Sequence, residues 1–194
     1  MLQGRGTAWC VWDASVVLAL YLASPGFDTE LRRLTASTRS LRCVELGSGT
    51  GLGGLALAAR LREVDGVEVK LTDLPEALPA LQRNVDANPA LRGCITVTPC
   101  DWLSPPAGLA GDVVVATDCV WLADLVAPFV HTLAHTLQPH GVALLVHQTR
   151  SVAVDDCLWA ELLKAGITAA REPQPPGAEC SSASVYILRR LPPE

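Results

Sequence analysis

The stretch Val44-Glu45-Leu46-Gly47-Ser48-Gly49-Thr50-Gly51 decides the fold of this chain. Its first three residues end a short apolar strand candidate, and three alternating glycines follow. Glycine has no Cβ, so this segment can turn sharply and a ligand can contact its backbone closely. A helix pattern begins at Gly51, so the unpaired N–H groups of its first turn would face the same ligand. The stretch therefore predicts a strand, a ligand-binding turn and a helix.

The glycine spacing fits two classes of nucleoside cofactor. Gly49, Gly51 and Gly54 match the GxGxxG pattern of dinucleotide-binding folds. Gly47, Gly49 and Gly51 match the GxGxG loop of enzymes that bind S-adenosylmethionine. The loop alone does not separate these two interpretations, so the residues that follow the other strands have to be considered with it.

Strand and helix patterns alternate along the chain on both sides of this loop. Strand candidates occupy residues 41–46, 67–71, 94–98, 112–117, 142–146, 167–170 and 184–188. Helix patterns occupy residues 51–62, 75–88, 122–137 and 155–164, and Pro75 is expected in the first turn of the second one. Such alternation predicts right-handed βαβ crossovers. We therefore expect a Rossmann-like α/β fold, a doubly wound, mostly parallel seven-stranded sheet with helices on both faces.

Length and composition predict one folded domain. A chain of 194 residues is the size of a single core, and 49% apolar with 18% charged residues excludes a disordered or fibrous protein. We assign residues 1–194 to one domain, with an N-terminal helical segment at 1–40, a cofactor-binding core at 41–148 and the last helix and strands at 149–194. We expect a monomer. The net charge of -5 argues against a nucleic-acid partner.

The cysteine pattern predicts a reducing compartment. The chain has 7 cysteines, and no two of them form a CxxC pair, which argues against a disulfide framework or a zinc ribbon. The apolar stretch at 8–23 imitates a signal peptide, but Asp13 lies within it. No apolar run reaches the roughly 18 residues of a membrane span. We therefore expect a cytoplasmic protein without a membrane partner.

Polar and aromatic side chains follow the second, third and fourth strands, at the edge where ligands of such sheets bind. Asp73 can accept hydrogen bonds from an adenosine ribose, or cap the next helix. Trp102 can stack on adenine, or lie half-buried at the surface. Asp118 can attract an ammonium group beside the ring of Trp121, or cap the helix after it.

Five segments together resemble the seven-β-strand protein-lysine methyltransferases of the methyltransferase-21-like family. They are Val11-Trp12-Asp13-Ala14-Ser15-Val16-Val17-Leu18, the glycine loop at 44–51, Leu71-Thr72-Asp73-Leu74, Cys100-Asp101-Trp102 and Ala116-Thr117-Asp118-Cys119-Val120-Trp121. They occur in the family's order and spacing, and the resemblance covers about residues 8 to 190. Position 121 departs from the family pattern, since it is tryptophan where the family has tyrosine.

The resemblance implies a binding site for S-adenosylmethionine. Trp12 would lie over the methionine end of this cofactor, Asp73 would hold the ribose, and Trp102 would cover the adenine. The other residues along the cofactor would be Gly47, Ser48, Gly49 and Thr117.

The resemblance also implies transfer of a methyl group to a lysine side chain of a protein. Asp118 and Trp121 would be the catalytic residues, since Asp118 would bind the ammonium and the Trp121 ring would wall its approach. No metal would be needed. The acceptor would be a protein such as a chaperone, an AAA ATPase or a translation factor.

Three other functions stay open at this point. A small-molecule methyltransferase would use the same cofactor site. A nicotinamide dehydrogenase would need a proton donor such as a Tyr-x-x-x-Lys pair, but neither Tyr21 nor Tyr186 has a lysine four positions later. A non-catalytic cofactor-binding or scaffold protein would have the same glycine loop but would catalyse no reaction.

Overall fold

The computed structural model describes residues 10–36 and 40–192. Helices α1 (Asp13–Leu22) and α2 (Pro25–Thr35) precede the first strand. The elements that follow are β1 (Leu41–Leu46), α3 (Leu52–Leu61), β2 (Val67–Asp73), α4 (Leu78–Asp86), β3 (Ile95–Pro99), β4 (Gly111–Thr117), α5 (Ala123–Thr136), β5 (Leu137–His147), α6 (Val152–Lys164), β6 (Ile167–Arg171) and β7 (Ser184–Arg190). The two N-terminal helices fall within the segment for which helices were predicted.

The seven strands form one sheet in the order β3-β2-β1-β4-β5-β7-β6. Neighbouring strands from β3 to β5 run parallel. The strand β7 lies between β5 and β6 and is antiparallel to both. The predicted doubly wound, mostly parallel sheet of seven strands is therefore confirmed.

Helices cover both faces of this sheet. Side chains of β4 alternate between the two layers, because Val113 and Val115 pack with the cluster of α1 to α4, whereas Val114 and Ala116 pack with α5 and α6. Burial on both faces explains why β4 reads as a continuous apolar run in the sequence. Within the described ranges, no helix is both long and apolar enough to cross a membrane.

The two N-terminal helices are held by residues near the other end of the chain. Three side-chain pairs make this contact: Asp13 with Ser181, Tyr21 with Glu172, and Glu30 with Arg189. Burial, together with the nearby Glu172 carboxylate, raises the pKa of Tyr21, so its hydroxyl stays protonated and donates the hydrogen bond. Helices α1 and α2 thus complete one helical layer rather than forming a separate unit.

The start of α4 differs from the prediction. The helix begins at Leu78 rather than Pro75, and Pro79 is the proline in its first turn. A turn comes before it, in which the Ala77 N–H donates to the Leu74 carbonyl at 2.9 Å. The prediction that Pro75 begins the helix was therefore wrong, because a second proline four residues later takes that position.

The starts of β5 and α6 lie earlier than predicted. Strand β5 begins at Leu137, which pairs with Gly111 before the register shifts between Gly111 and Val113. Helix α6 begins at Val152, where the Ser151 carbonyl accepts hydrogen bonds from the amides of the first turn. Neither change moves the apolar centre of the strand or helix concerned.

The order of the strands reverses between β1 and β4. From β1 the chain builds outward to β3, and it then crosses back to add β4 on the other side of β1. The connections that leave the carboxyl ends of these two strands go to opposite faces of the sheet and leave a crevice, which is where open α/β sheets bind ligands. Gly47 follows β1 and Asp118 follows β4, so both lie at this crevice.

Close packing of α3 on the sheet generates the first prediction. A Cβ on Gly54 would lie 2.1 Å from Leu71 Cδ2 and 2.8 Å from Glu45 Oε2. We expect Gly54→Ala to lower the free energy of unfolding by about 1–3 kcal/mol, because overpacking displaces neighbouring core atoms. Urea unfolding at equilibrium measures this change.

The matched control is Gly93→Ala, because a Cβ on Gly93 would meet no atom within 4 Å. Its effect should stay within about 0.5 kcal/mol. Equal destabilisation by the two variants would contradict the close packing of α3.

Candidate active site

A cavity of about 710 Å³ opens at the crevice between β1 and β4. Its size lies within the range of about 300–1,000 Å³ that is typical of ligand pockets. Every site residue expected from the sequence lines it, namely Trp12, Gly47, Ser48, Gly49, Asp73, Trp102, Thr117, Asp118 and Trp121. The fold thus brings together residues that are far apart in the chain, while their individual roles stay predictions.

The glycine loop has the backbone that its sequence requires. Gly47, Gly49 and Gly51 have φ angles of 69, 52 and 82 degrees, a region that only glycine adopts readily. The Gly51 N–H donates to the Ser48 carbonyl at 2.7 Å and closes the turn. The Ser48 hydroxyl accepts a hydrogen bond from the Thr72 N–H at 3.0 Å. The Ser48 side chain therefore ties the loop to β2.

The backbone at Gly47 lies against an aromatic wall. A Cβ at this position would lie 3.1 Å from Cys119 Cβ and 3.2 Å from Trp102 Cζ2. The Trp102 ring cannot retreat freely, because it packs edge to face on Phe129 with a centroid distance of 5.2 Å. The absence of a side chain at Gly47 thus lets the loop and a fixed ring approach each other at the cavity.

Two backbone amides hold the Asp73 carboxylate at the end of β2. Oδ2 accepts from the Gly49 N–H and Oδ1 from the Leu74 N–H, each at 2.7 Å. Burial raises the pKa of Asp73, and these two amides offset part of that effect. The residue does not cap α4, whose N-cap is Ala77, so that alternative was wrong. Each carboxylate oxygen has a further lone pair, which is what a ribose diol would need.

Thr117 joins the end of β4 to the start of α1. Its hydroxyl lies 3.1 Å from the hydroxyl of Ser15, and both residues are buried. Trp12 is the N-cap residue of α1, so this contact also places the Trp12 ring at the cavity. An N-terminal residue thereby becomes part of a site that otherwise follows the strands of the sheet.

The backbone of Asp118 has a left-handed conformation, with φ at 48 degrees. Among the described residues no other non-glycine has a positive φ. Its N–H donates to the Val146 carbonyl of β5 at 2.8 Å, which holds this conformation. Such residues cluster at functional sites. Asp118 does not cap α5, whose N-cap is Leu122, so that alternative was also wrong.

The two oxygens of the Asp118 carboxylate have different surroundings. The side chain is only 2% exposed, and Oδ2 forms an ion pair with Arg150. Oδ1 is buried and has no hydrogen-bond partner within the part of the chain that the structure describes. The Arg150 guanidinium also lies over the Trp12 ring, 5.1 Å from its centroid.

Arg150 is a site residue that the sequence analysis missed. It lines the same cavity and lies in the loop directly after β5. That position was a usable signal, because β5 ends at the same edge of the sheet as β1 and β4.

The loop that carries Arg150 is anchored on both sides. His147 Nε2 lies 2.8 Å from Asp155 Oδ1, and the Thr149 hydroxyl donates to Asp155 Oδ2 at 2.6 Å. The Trp159 ring packs edge-on against His147. His147 ends β5 and Asp155 lies in the first turn of α6, so these contacts hold the intervening loop closed.

Acidic side chains dominate the charge of the cavity. Asp73, Glu76, Asp101 and Asp118 line it, and Arg150 is the one basic residue among its described lining residues. A concave surface of this sign concentrates positively charged ligands. The electrostatics therefore favour a cationic cofactor, a cationic acceptor, or both.

Three thiols line the cavity, and two of them, those of Cys100 and Cys119, are shielded from reaction by burial. Burial raises the pKa of both Cys100 and Cys119, so these thiols are protonated at neutral pH.

The rings of His131 and His135 contact each other on α5 with a centroid distance of 4.1 Å. In the described ranges, no three side chains of metal-binding type come together.

Glu45 lies beneath the glycine loop and is 1% exposed. Burial raises its pKa to about 8. Within the described chain, neither carboxyl oxygen has a partner at good hydrogen-bond geometry. The nearby Ser48 hydroxyl and Gly54 amide offset only part of the effect of burial on the pKa. The Glu45 carboxyl is therefore mostly protonated at neutral pH.

Solved structures of methyltransferases have the same fold. An O-methyltransferase family protein from Burkholderia thailandensis superimposes with a TM-score of 0.65 and 20% identity, over 90% of this chain and 58% of that one. CalS10, a SAM-bound amino pentose methyltransferase from Micromonospora echinaspora, superimposes with a TM-score of 0.62 and 14% identity, over 89% of this chain and 91% of that one. These likenesses define the class of fold as that of Rossmann-like methyltransferases.

Sequence similarity extends to named protein-lysine methyltransferases. A lysine methyltransferase family model matches residues 2–162. The EEF1A lysine methyltransferase 3 of Mus musculus is 33% identical over 160 residues, which is 81% of this chain and 63% of that protein. The protein N-lysine methyltransferase METTL21A of Mus musculus is 35% identical over 150 residues, which is 75% of this chain and 62% of that protein. The chain belongs to the lysine methyltransferase family, as the motif resemblance implied.

The chain spans about three fifths of the length of these curated relatives. Family and fold together support S-adenosylmethionine as the cofactor, which decides between the two interpretations of the glycine loop. The cavity fits this group in two respects. Gly47 and Gly49 present backbone without side chains, and the lining is acidic, which suits a cofactor with a positively charged sulfonium.

The buried Glu45 carboxyl generates a prediction of pH-dependent stability. Its folded-state pKa of about 8 lies above the ordinary value of 4.5, so the folded protein binds more protons between these two values. Stability must then fall as the pH rises through this window. Between about pH 6 and pH 8.5 this group should cost on the order of 2 kcal/mol. We expect Glu45→Gln to remove that loss, as measured by urea unfolding at the two pH values.

The control is Glu68→Gln, because Glu68 is exposed on the neighbouring strand β2. It should leave the difference between the two pH values as it is in the unsubstituted protein. An unchanged difference in Glu45→Gln would show that the Glu45 carboxyl is charged in the folded state.

Proposed function

We propose that this chain transfers a methyl group from S-adenosylmethionine to the lysine side chain of a protein. One observation carries the proposal: the glycine loop and the buried carboxylate of Asp118 line the same cavity. A nucleoside-binding backbone and a carboxylate suited to an ammonium group supply the two halves of a transfer reaction. Holding both partners in one cavity is the main catalytic task in such a transfer.

The cofactor would lie along the glycine loop. Asp73 would accept hydrogen bonds from the ribose hydroxyls through its free lone pairs, and the fixed ring of Trp102 would cover the adenine. Trp12 would lie over the methionine end. Backbone groups of Gly47, Ser48, Gly49 and Thr117 would complete the contacts.

The residues of the chain have to bind and orient the acceptor amine and to exclude water from it. When bound, S-adenosylmethionine supplies a sulfonium methyl group, so that a nitrogen–carbon bond forms as the carbon–sulfur bond breaks and its electron pair stays on sulfur. Asp118 would bind the lysine ammonium first. The proton would leave to solvent before attack, and removal of the amine from water beside Trp12 and Trp121 would lower its pKa.

A protein acceptor is supported by the names of the relatives, one of which is a lysine methyltransferase for EEF1A. We propose a translation factor as the first candidate, with chaperones and AAA ATPases next. We further propose a cytoplasmic monomer of one domain, with the cofactor-binding core at 41–148. The net charge of -5 supports a partner other than nucleic acid.

Two measurements test the proposal. Isothermal titration should show binding of S-adenosylmethionine and none of NAD. Incubation with tritiated S-adenosylmethionine and a cell lysate should label a protein band on a gel. Label that appears only in the small-molecule fraction would contradict the protein acceptor, and the absence of cofactor binding would contradict the whole assignment.

The role of Asp73 generates a prediction on cofactor affinity. We expect Asp73→Asn to weaken S-adenosylmethionine binding by about 10- to 100-fold, since hydrogen bonds to a charged group contribute about 1.5–3 kcal/mol. Isothermal titration measures the dissociation constant. Asp156→Asn is the control, because Asp156 is exposed on α6 and does not line the cavity. Equal affinity of the two variants would remove Asp73 from the cofactor site.

The role of Asp118 generates a prediction that separates binding from transfer. We expect Asp118→Asn to reduce the rate of methyl transfer by about 100-fold, because the acceptor amine would no longer be held in position. The affinity for the cofactor should stay nearly unchanged. Asparagine tolerates the left-handed backbone at this position, so the fold is retained. Labelling of the lysate band and titration with S-adenosylmethionine provide the two readouts.

Asp124→Asn is the control for this pair of measurements, because Asp124 is exposed in α5 and outside the cavity lining. Normal transfer by Asp118→Asn would show that the carboxylate charge has no part in catalysis.

A further inference from the structure

The ion pair between Asp118 and Arg150 bears directly on how an amine could react in this cavity. A carboxylate as buried as that of Asp118 is costly without a counter-charge, and Arg150 supplies one at Oδ2. The other oxygen, Oδ1, is buried without a partner in the described chain. An unsatisfied buried acceptor calls for an explanation, and a donor that enters the cavity would satisfy it.

A carboxylate alone would work against methyl transfer. An adjacent negative charge favours the ammonium form of a lysine and so raises its pKa. The ammonium nitrogen has no free electron pair, so the group that binds the acceptor best would also keep it unreactive. A fixed positive charge beside the carboxylate opposes this effect, because it disfavours the charged form of the amine.

Arg150 is placed to supply that charge. Its side chain is 38% exposed, and its guanidinium lies between the Asp118 carboxylate and the Trp12 ring. The anchored loop between His147 and Asp155 holds its backbone. The other titratable groups lining the cavity are the carboxyls of Asp73, Glu76 and Asp101 and the thiols of Cys10, Cys100 and Cys119. None of these carries a positive charge.

We propose that Arg150 is a positioning residue that stays paired with Oδ2 of Asp118 while the acceptor amine binds Oδ1. In this arrangement Arg150 orients the carboxylate and lowers the pKa of the bound amine, so that the neutral nucleophile forms near physiological pH. The proposal rests on the proposed function, since it concerns the acceptor end of the same site.

The first test compares the binding of a simple cation. The probe is n-butylammonium, followed by the shifts of the tryptophan indole N–H signals in NMR spectra with S-adenosylhomocysteine present. Removal of a neighbouring positive charge should make Arg150→Gln bind this probe about tenfold more tightly. Arg150→Lys retains the charge and should bind it as the unsubstituted protein does.

The second test follows methyl transfer against pH. Tritiated S-adenosylmethionine is used with enzyme in excess over the lysate acceptors, so that the rate reports the bound complex. In Arg150→Gln the rise of the rate with pH should move upward by about one pH unit, because the bound amine keeps its proton longer. The rate near neutral pH falls accordingly, and Arg150→Lys restores both the rate and the pH profile.

Arg42→Gln is the matched control. Arg42 pairs with Asp112 at 3.1 Å, and neither residue lines the cavity. Removing that guanidinium leaves a different aspartate without its cationic partner and should change neither readout. Thermal unfolding of each variant confirms that it is folded.

The proposal is supported if Arg150→Gln binds butylammonium more tightly and also transfers methyl groups more slowly near neutral pH. Weaker or unchanged butylammonium binding in Arg150→Gln would overturn it, since Arg150 would then be only structural. Faster transfer at every pH would also overturn it, because Arg150 would then block the acceptor position. If the unsubstituted protein labels no acceptor at all, the proposed function fails, while the butylammonium comparison still decides the pairing at Asp118.

Discussion

The site depends on how closely helix α3 approaches the carboxyl end of β1. A Cβ on Gly53 would lie 2.4 Å from Glu45 Oε1, so a side chain at this position would displace the Glu45 carboxyl. Helix α3 thus helps to bury the Glu45 carboxyl, which also contacts Ser48 of the glycine loop. The loop then presents the Gly49 amide to Asp73, which ties the ends of β1 and β2 together. A buried acid that is mostly uncharged at neutral pH thus lies beneath the glycine loop, which lines the cavity.

Much of the fold could be predicted because its determinants are local. The run at Val113-Val114-Val115 indicated a strand buried on both faces, and the glycine loop indicated a strand, a turn and a helix. The mostly parallel arrangement of the strands followed from the rules for βαβ units. The start of α4 could not be read in the same way, because Pro75 and Pro79 both suit a first helical turn and the turn closed by Ala77 decides between them.

The site residues that lie at strand ends were predicted from the sequence. The one that is defined by a tertiary contact was missed. Asp73 ends a strand, and Trp102 and Asp118 each follow one, so their position at one edge followed from parallel topology. Arg150 also follows a strand, but a single arginine in a loop carries no chemical signature by itself. Its importance comes from its ion pair with Asp118, which joins the ends of two neighbouring strands. The unequal surroundings of the two Asp118 oxygens depend on packing that no sequence pattern contains.

The contacts between the two ends of the chain have a consequence for how the protein is made on the ribosome. Helix α1 is anchored through Asp13 to Ser181 and through Tyr21 to Glu172. A chain emerges from its N-terminus, and contacts between distant segments form only when the later segment is present. Helix α1 is thus synthesised well before these two partners are present. We expect the contacts of Asp13 and Tyr21 to form in the nascent chain only after residues 172–181 have left the ribosome.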